Sequence, residues 1–97
     1  MYAVINRRRS NPERQAETRQ RAADEFFPKL RQAPGFVAFY LVAGDDGVNT
    51  AIGLWESREQ VEAFQSTLES WTTTLEQLGN RHESSIAGEV IAAVTPQ

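Results

Sequence analysis

The apolar positions of the chain change their period several times, and each change marks an element. Tyr2-Ala3-Val4-Ile5 is a short apolar run closed by Asn6, which predicts a first strand over 2–6. Ser10-Asn11-Pro12 reads as a helix entry, with Asn11 as N-cap and Pro12 at the first helical position. Ala16, Ala23, Phe26, Phe27 and Leu30 recur at helical spacing, so a helix is expected from about Pro12 to Arg31, with Pro28 as a kink. Ala33-Pro34-Gly35 ends it. Phe36 to Val42 is a continuous apolar run and the clearest strand in the chain. Gly44-Asp45-Asp46-Gly47 is a turn by composition, and Asn49–Trp55 returns as the second arm of a hairpin. Ser57 with Gln60 three residues later predicts a capping box opening a second helix from about Arg58 to Leu78. Its apolar face, Val61, Phe64, Leu68, Trp71, Leu75 and Leu78, is regular, and Gly79-Asn80 stops it. A last strand is expected within 83–95, with Gly88 as a bulge and 89–94 as its apolar part.

The order is β-α-β-β-α-β over one domain spanning residues 1–97. That is the split βαβ arrangement of the ferredoxin-like α+β class: an antiparallel sheet with two helices on one face. Two helices cover only one side of such a sheet, and a sheet with one wet face should alternate apolar and polar residues. Phe36–Val42 does not alternate, and Tyr2–Ile5 and Val90–Val94 are similar. A second apolar face of that size is rarely left in water. The expectation is a homodimer packed through its sheet faces, since most oligomers are symmetric.

Composition removes several classes. There is no cysteine, hence no disulfide and no thiolate metal site, and a single histidine makes a protein-only zinc site a poor fit. No apolar run approaches the ~20 residues of a membrane span, and the N-terminus lacks a signal-peptide pattern, so a soluble cytoplasmic protein with no membrane partner is expected. Net charge is −3, yet eight of the ten basic residues lie between Arg7 and Arg31. Arg7-Arg8-Arg9 raises the question of nucleic acid. The triplet is short, the chain is acidic and no aromatics interleave with it, so a solvated strand end is the better reading and no nucleic-acid partner is expected.

Pro34-Gly35-Phe36, the hairpin with its acidic-glycine turn, and Leu54-Trp55-Glu56-Ser57 opening an amphipathic helix resemble the antibiotic biosynthesis monooxygenase superfamily, over nearly the whole chain. The resemblance implies a dimeric α/β barrel. It also implies one of several activities: cofactor-free oxidation of anthrone- or hydroquinone-like aromatics to quinones, haem degradation, or the processing or sensing of small metabolites. The quinone-forming type is similar in its Trp, matched by Trp55, but its Asn four residues before and Tyr six after fall on Ala51 and Val61. The haem-degrading type is similar in an Asn near the end of the first strand, matched by Asn6. Its helical Trp and later His fall on Phe64 and Thr74, which removes the proximal iron ligand.

Cofactor-free oxygenation needs an apolar site, a few donors for an oxyanion and the exclusion of water. Trp55, His82 and Asn6 are the candidate catalytic residues; Tyr40, Phe64 and Trp71 are the candidate substrate-binding ones. Each has a structural counterpart. Trp71 and Phe64 lie on the apolar helix face, Tyr40 is within a strand, Trp55 ends one, Asn6 can bond its own backbone, and His82 follows a loop-like stretch. His82 is nevertheless the one ready general base. The expectation is therefore a monooxygenase with no metal or other cofactor, acting on a small aromatic or polyketide-like molecule. The rival is a non-catalytic dimeric domain that binds a small apolar ligand or serves a structural role. An isomerase or decarboxylase on the same fold is a third possibility.

Overall fold

The structure, a computed structural model, describes residues 1–96. Four strands form one antiparallel sheet in the order β2-β3-β1-β4: β1 (Tyr2–Arg9), β2 (Phe36–Ala43), β3 (Val48–Trp55) and β4 (Arg81–Glu89). Two helical arms cover one face. The first comprises a 3₁₀ turn (Pro12–Arg14), α1 (Gln15–Arg21), a π turn (Ala22–Phe26) and α2 (Phe27–Gln32). The second comprises α3 (Arg58–Ala63) and α4 (Gln65–Gln77). The expected βαββαβ ferredoxin-like architecture is the one observed.

β1 is longer than its apolar run. It pairs with β3 on one side and β4 on the other, so backbone bonds carry the strand through Arg7, Arg8 and Arg9 despite their polarity. The first helical arm begins as expected: Asn11 accepts from the Glu13 amide and Pro12 follows it. Its buried face differs. Ala22, Phe26 and Leu30 are buried, whereas Ala16 and Ala23 are exposed. The π turn supplies the reason. Inserting a wider turn at Ala22–Phe26 keeps residues four apart on one face, so a uniform helical period selects the wrong alanine. The same turn lies just before Pro28, which has no amide hydrogen to donate.

The second arm is not continuous. It breaks at Phe64 (φ −95°, ψ 1°), whose amide is shared between the carbonyls of Gln60 and Val61. That tight turn sets the Phe64 ring 5.2 Å from Trp55 and 6.4 Å from Phe26. Ser57 holds the N-cap position, but its hydroxyl bonds the Gln60 side chain at 2.8 Å instead of a backbone amide. At the far end Gly79 (φ +83°) donates to Glu76 O and Asn80 to Leu75 O, a Schellman closure.

The last strand ends earlier than expected. β4 stops at Glu89, and residues 90–94, expected to be its apolar part, lie outside any strand, with Ile91 and Val94 almost fully exposed. β4 is an edge strand whose one neighbour is β1, and β1 starts at Tyr2. The Val90 amide still bonds Met1 O at 2.8 Å, and the pairing with β1 ends there. The bulge is also elsewhere. It falls at Glu83, where the register passes from Arg7↔Ser84 to Arg8↔His82, and not at Gly88.

The core is aromatic. Phe26, Leu30, Trp55 and Val61 are buried together, with Phe36, Phe39, Phe64 and Trp71 packed against them. On the opposite face the cross-strand row Tyr40–Ile52–Ile5–Ile86 runs the width of the sheet with no element of the described residues above it; Tyr40 is 58% exposed and Ile86 67%. Among the described residues no helix is long and apolar enough to cross a membrane.

Candidate functional site

Between the sheet and the two helical arms lies an open cleft of about 1100 Å³. Its floor is the helix-facing side of the strands, notably Val4, Asn6 and Arg8 of β1, with Phe39 and Leu41 of β2. Phe26, Leu68 and Trp71 close the apolar side. Trp71 lies flat on Phe26, centroids 5.1 Å apart and planes 6° from parallel, so the wall is stiff as well as greasy.

One end of the cleft is polar. His82 Nε2 is 2.7 Å from Ser85 Oγ, and Ser85 Oγ donates to Asn6 Oδ1 at 2.5 Å. Residues three apart on a strand normally face opposite ways. Here the extra residue Glu83 reverses the alternation, so His82 and Ser85 both turn to the cleft, opposite Arg8 and Asn6 of β1. With the Ser85 hydrogen spent on Asn6, the imidazole donates from Nε2 and keeps Nδ1 as its basic atom. With Oδ1 of Asn6 engaged, its Nδ2 hydrogens are left to donate elsewhere. The chain of three thus provides one proton acceptor and one amide donor at the edge of an apolar cavity.

The six candidate residues divide three ways. Asn6, His82 and Trp71 line the cleft. Trp55 and Phe64 belong to the aromatic core instead. Trp55 is 2% exposed, edge-on to Phe36 at 5.5 Å, and its indole leans over Gly53, where a Cβ would lie 3.3 Å from Nε1. It sits opposite Tyr2, four residues along β1 from Asn6, roughly 13 Å at ~3.3 Å per residue. Tyr40 is on the outer sheet face, because Phe39 and Leu41 on either side of it line the cleft. Ala51, where the quinone-forming pattern has an amide, is on the cleft floor, and Val61 lines the cleft too. Thr74 borders a separate cavity of about 170 Å³ between the helical arms.

Ser85 and Arg8 were not among the candidates. Ser85 was concealed by strict alternation, which places it on the face away from His82. Arg8 was concealed within a charged triplet. Its neighbours pair outward, Arg7 with Asp46 at 4.0 Å and Arg9 with Glu83 at 3.3 Å, while Arg8 points into the cleft and donates to Thr72 Oγ1 at 3.3 Å. Burial pulls its pKa down, partly offset by Glu76 nearby. No group of three metal-ligating side chains occurs among the described residues.

A family model for antibiotic biosynthesis monooxygenase matches residues 1–74. The chain belongs to that family. Solved structures share its fold. A Deinococcus radiodurans protein described as an antibiotic biosynthesis monooxygenase superposes with a TM-score of 0.82 at 15% identity, covering 100% of this chain and 99% of that one. SnoaB of Streptomyces nogalater, a cofactor-independent oxygenase, gives 0.70 at 18% identity over 99% and 97%. The haem degrader MhuD of Mycobacterium tuberculosis, solved with two haems in its active site, gives 0.70 at 20% over 98% and 100%. At these identities the likeness is one of fold. No curated protein sequence matches the chain.

Proposed function

We propose that this family member is a cytoplasmic, homodimeric, cofactor-independent monooxygenase that oxidises an electron-rich aromatic or polyketide-like molecule, such as an anthrone or hydroquinone, held in the cleft. The observation that carries the reading is the His82–Ser85–Asn6 chain at the polar end of an apolar cavity. A monooxygenase-type activity accords with the family and with SnoaB sharing the fold.

The aromatic ring lies against the Phe26–Trp71 wall with its ionisable oxygen at the polar end. His82 accepts the hydroxyl or enol proton on Nδ1, and Asn6 Nδ2 donates to the resulting oxyanion. The apolar wall lowers the polarity on its side of the ring, which favours that bond. The carbanionic form of the ring reduces dioxygen and a carbon–oxygen bond forms. The resulting hydroperoxide loses water to leave a carbonyl, so an anthrone CH₂ and O₂ become a quinone C=O and H₂O. Trp55 and Phe64 support the wall from the core. The outer row Tyr40–Ile52–Ile5–Ile86 packs on the same row of a second copy, completing the dimeric barrel that the family resemblance implies.

The test is oxygen uptake by metal-stripped, flavin-free protein across a panel of anthrones and hydroquinones. Uptake above autoxidation that falls about 10²-fold or more in His82→Gln and Asn6→Ala supports the reading. Saturable binding of the same compounds without uptake transfers the weight to a non-catalytic ligand-binding domain. Neither binding nor uptake would overturn both.

A further inference from the structure

We infer that Arg8 makes the cleft a site for aromatic acids: the ligand carries a carboxylate, separate from its reacting oxygen, that docks on the Arg8 guanidinium beside Thr72. This rests on the aromatic-ligand reading above and adds to it the class of substituent the ligand must bear.

Arg8 is the middle residue of a triplet divided by strand alternation. Arg7 and Arg9 reach acids at the protein's edge; Arg8 turns into the cleft, where no carboxylate of the described residues lies within ion-pair distance. Its cross-strand partners, Asn49 and His82, offer it no acceptor. Its one hydrogen bond in the structure is from Nη2 to Thr72, and Nη1 is enclosed and unpartnered, the sole such buried side-chain polar atom among the described residues. A guanidinium presents paired donors in a fork that matches a carboxylate. The enclosed Nη1 leaves the cation short of acceptors, and a ligand anion beside the part of the guanidinium that lines the cleft would offset that cost. Glu76 is the nearby acid that acts on Arg8, yet it forms no ion pair with it, so it moderates the positive charge without occupying the fork.

Arg8 is the direct cross-strand partner of His82, so the ligand's hydroxyl and carboxylate belong on the same ring. 4-Hydroxy-1-naphthoate and its methyl ester are therefore titrated into the full chain at neutral pH, by fluorescence or calorimetry. The acid is expected to bind at least about tenfold tighter than the ester, the scale of one charge-assisted pair. Arg8→Gln should erase that ratio while leaving ester binding within about threefold. Glu76→Gln should widen it. Arg8→Met, without ligand, should melt no lower than the native protein, because it removes an unpaired buried donor.

Equal binding of acid and ester by the native protein would overturn the carboxylate subsite and leave the aromatic cleft standing. So would an unchanged ratio in Arg8→Gln, or a large loss of Tm in Arg8→Met with the ratio intact. Binding of neither compound overturns the cleft reading and the subsite together.

Discussion

Trp71 and Phe26 stack face to face, 5.1 Å between centroids and 6° from parallel, joining the two helical arms across the apolar wall of the cleft. Phe26 is 4% exposed and also meets Phe39 edge-on at 5.9 Å. It therefore ties both arms to the sheet. Phe26→Ala should cost about 3–5 kcal/mol, read as a lower urea midpoint at unchanged slope. Trp71→Phe, at a half-buried position lining the cleft, should cost less stability and weaken aromatic ligands more.

Ser85→Ala tests the polar end without disturbing the core, since Ser85 is exposed on an edge strand. Stability should stay within about 0.5 kcal/mol. Oxygen uptake should fall by roughly ten- to a hundredfold, because the hydroxyl that orients both His82 and Asn6 is gone. Retention of full activity would show that the three residues do not act together.

Trp55→Phe separates core from catalysis. With the indole buried against Phe36 and Phe64, the variant should melt earlier yet keep most of its activity per folded molecule. A large loss of kcat with an unchanged Tm would instead make the indole N–H part of the chemistry.

Ile86→Glu places a charge in the outer row beside Ile5. If that row is the dimer contact, the variant should run at half the native mass in light scattering, since an uncompensated charge at such an interface costs several kcal/mol. An unchanged mass would argue for a different interface or none.

Gly79→Ala puts a Cβ on a residue at φ +83°, 2.6 Å from the Asn11 side chain that caps the first helical arm. A loss of about 1–2 kcal/mol is expected from the backbone alone, with more from the displaced cap. Thermal unfolding reads it directly.

The pairs Arg14–Glu17 and Arg21–Glu25 make an acid-side prediction. Hydrogen bonding to the arginines, foremost, holds both glutamate pKa values below the usual 4.5. Folded values below unfolded ones mean that their contribution is complete above about pH 4.5. It is lost as pH falls through the lowered folded values. Both pairs lie at the surface in contact with solvent, so the effect should be small and should shrink in salt.

The order of elements, the ferredoxin-like class and the family were legible because they depend on local matters. Periodicity marks helix and strand, Asn11-Pro12 and Gly79-Asn80 mark helix ends, and the unalternating Phe36–Val42 run showed that the sheet has two apolar faces. Asn6, His82 and Trp71 could be named for their chemistry alone. The polar end of the cleft could not, since it depends on pairing between strands distant in sequence. One extra residue at Glu83 reverses the facing of β4 and brings Ser85 beside His82. β1, held on both sides, carries Arg8 into the interior while its neighbours face out. The ends of β4 and the phase of the first helical arm are likewise matters of what lies alongside, because a strand continues only while it has a partner and a π turn shows only in the folded backbone.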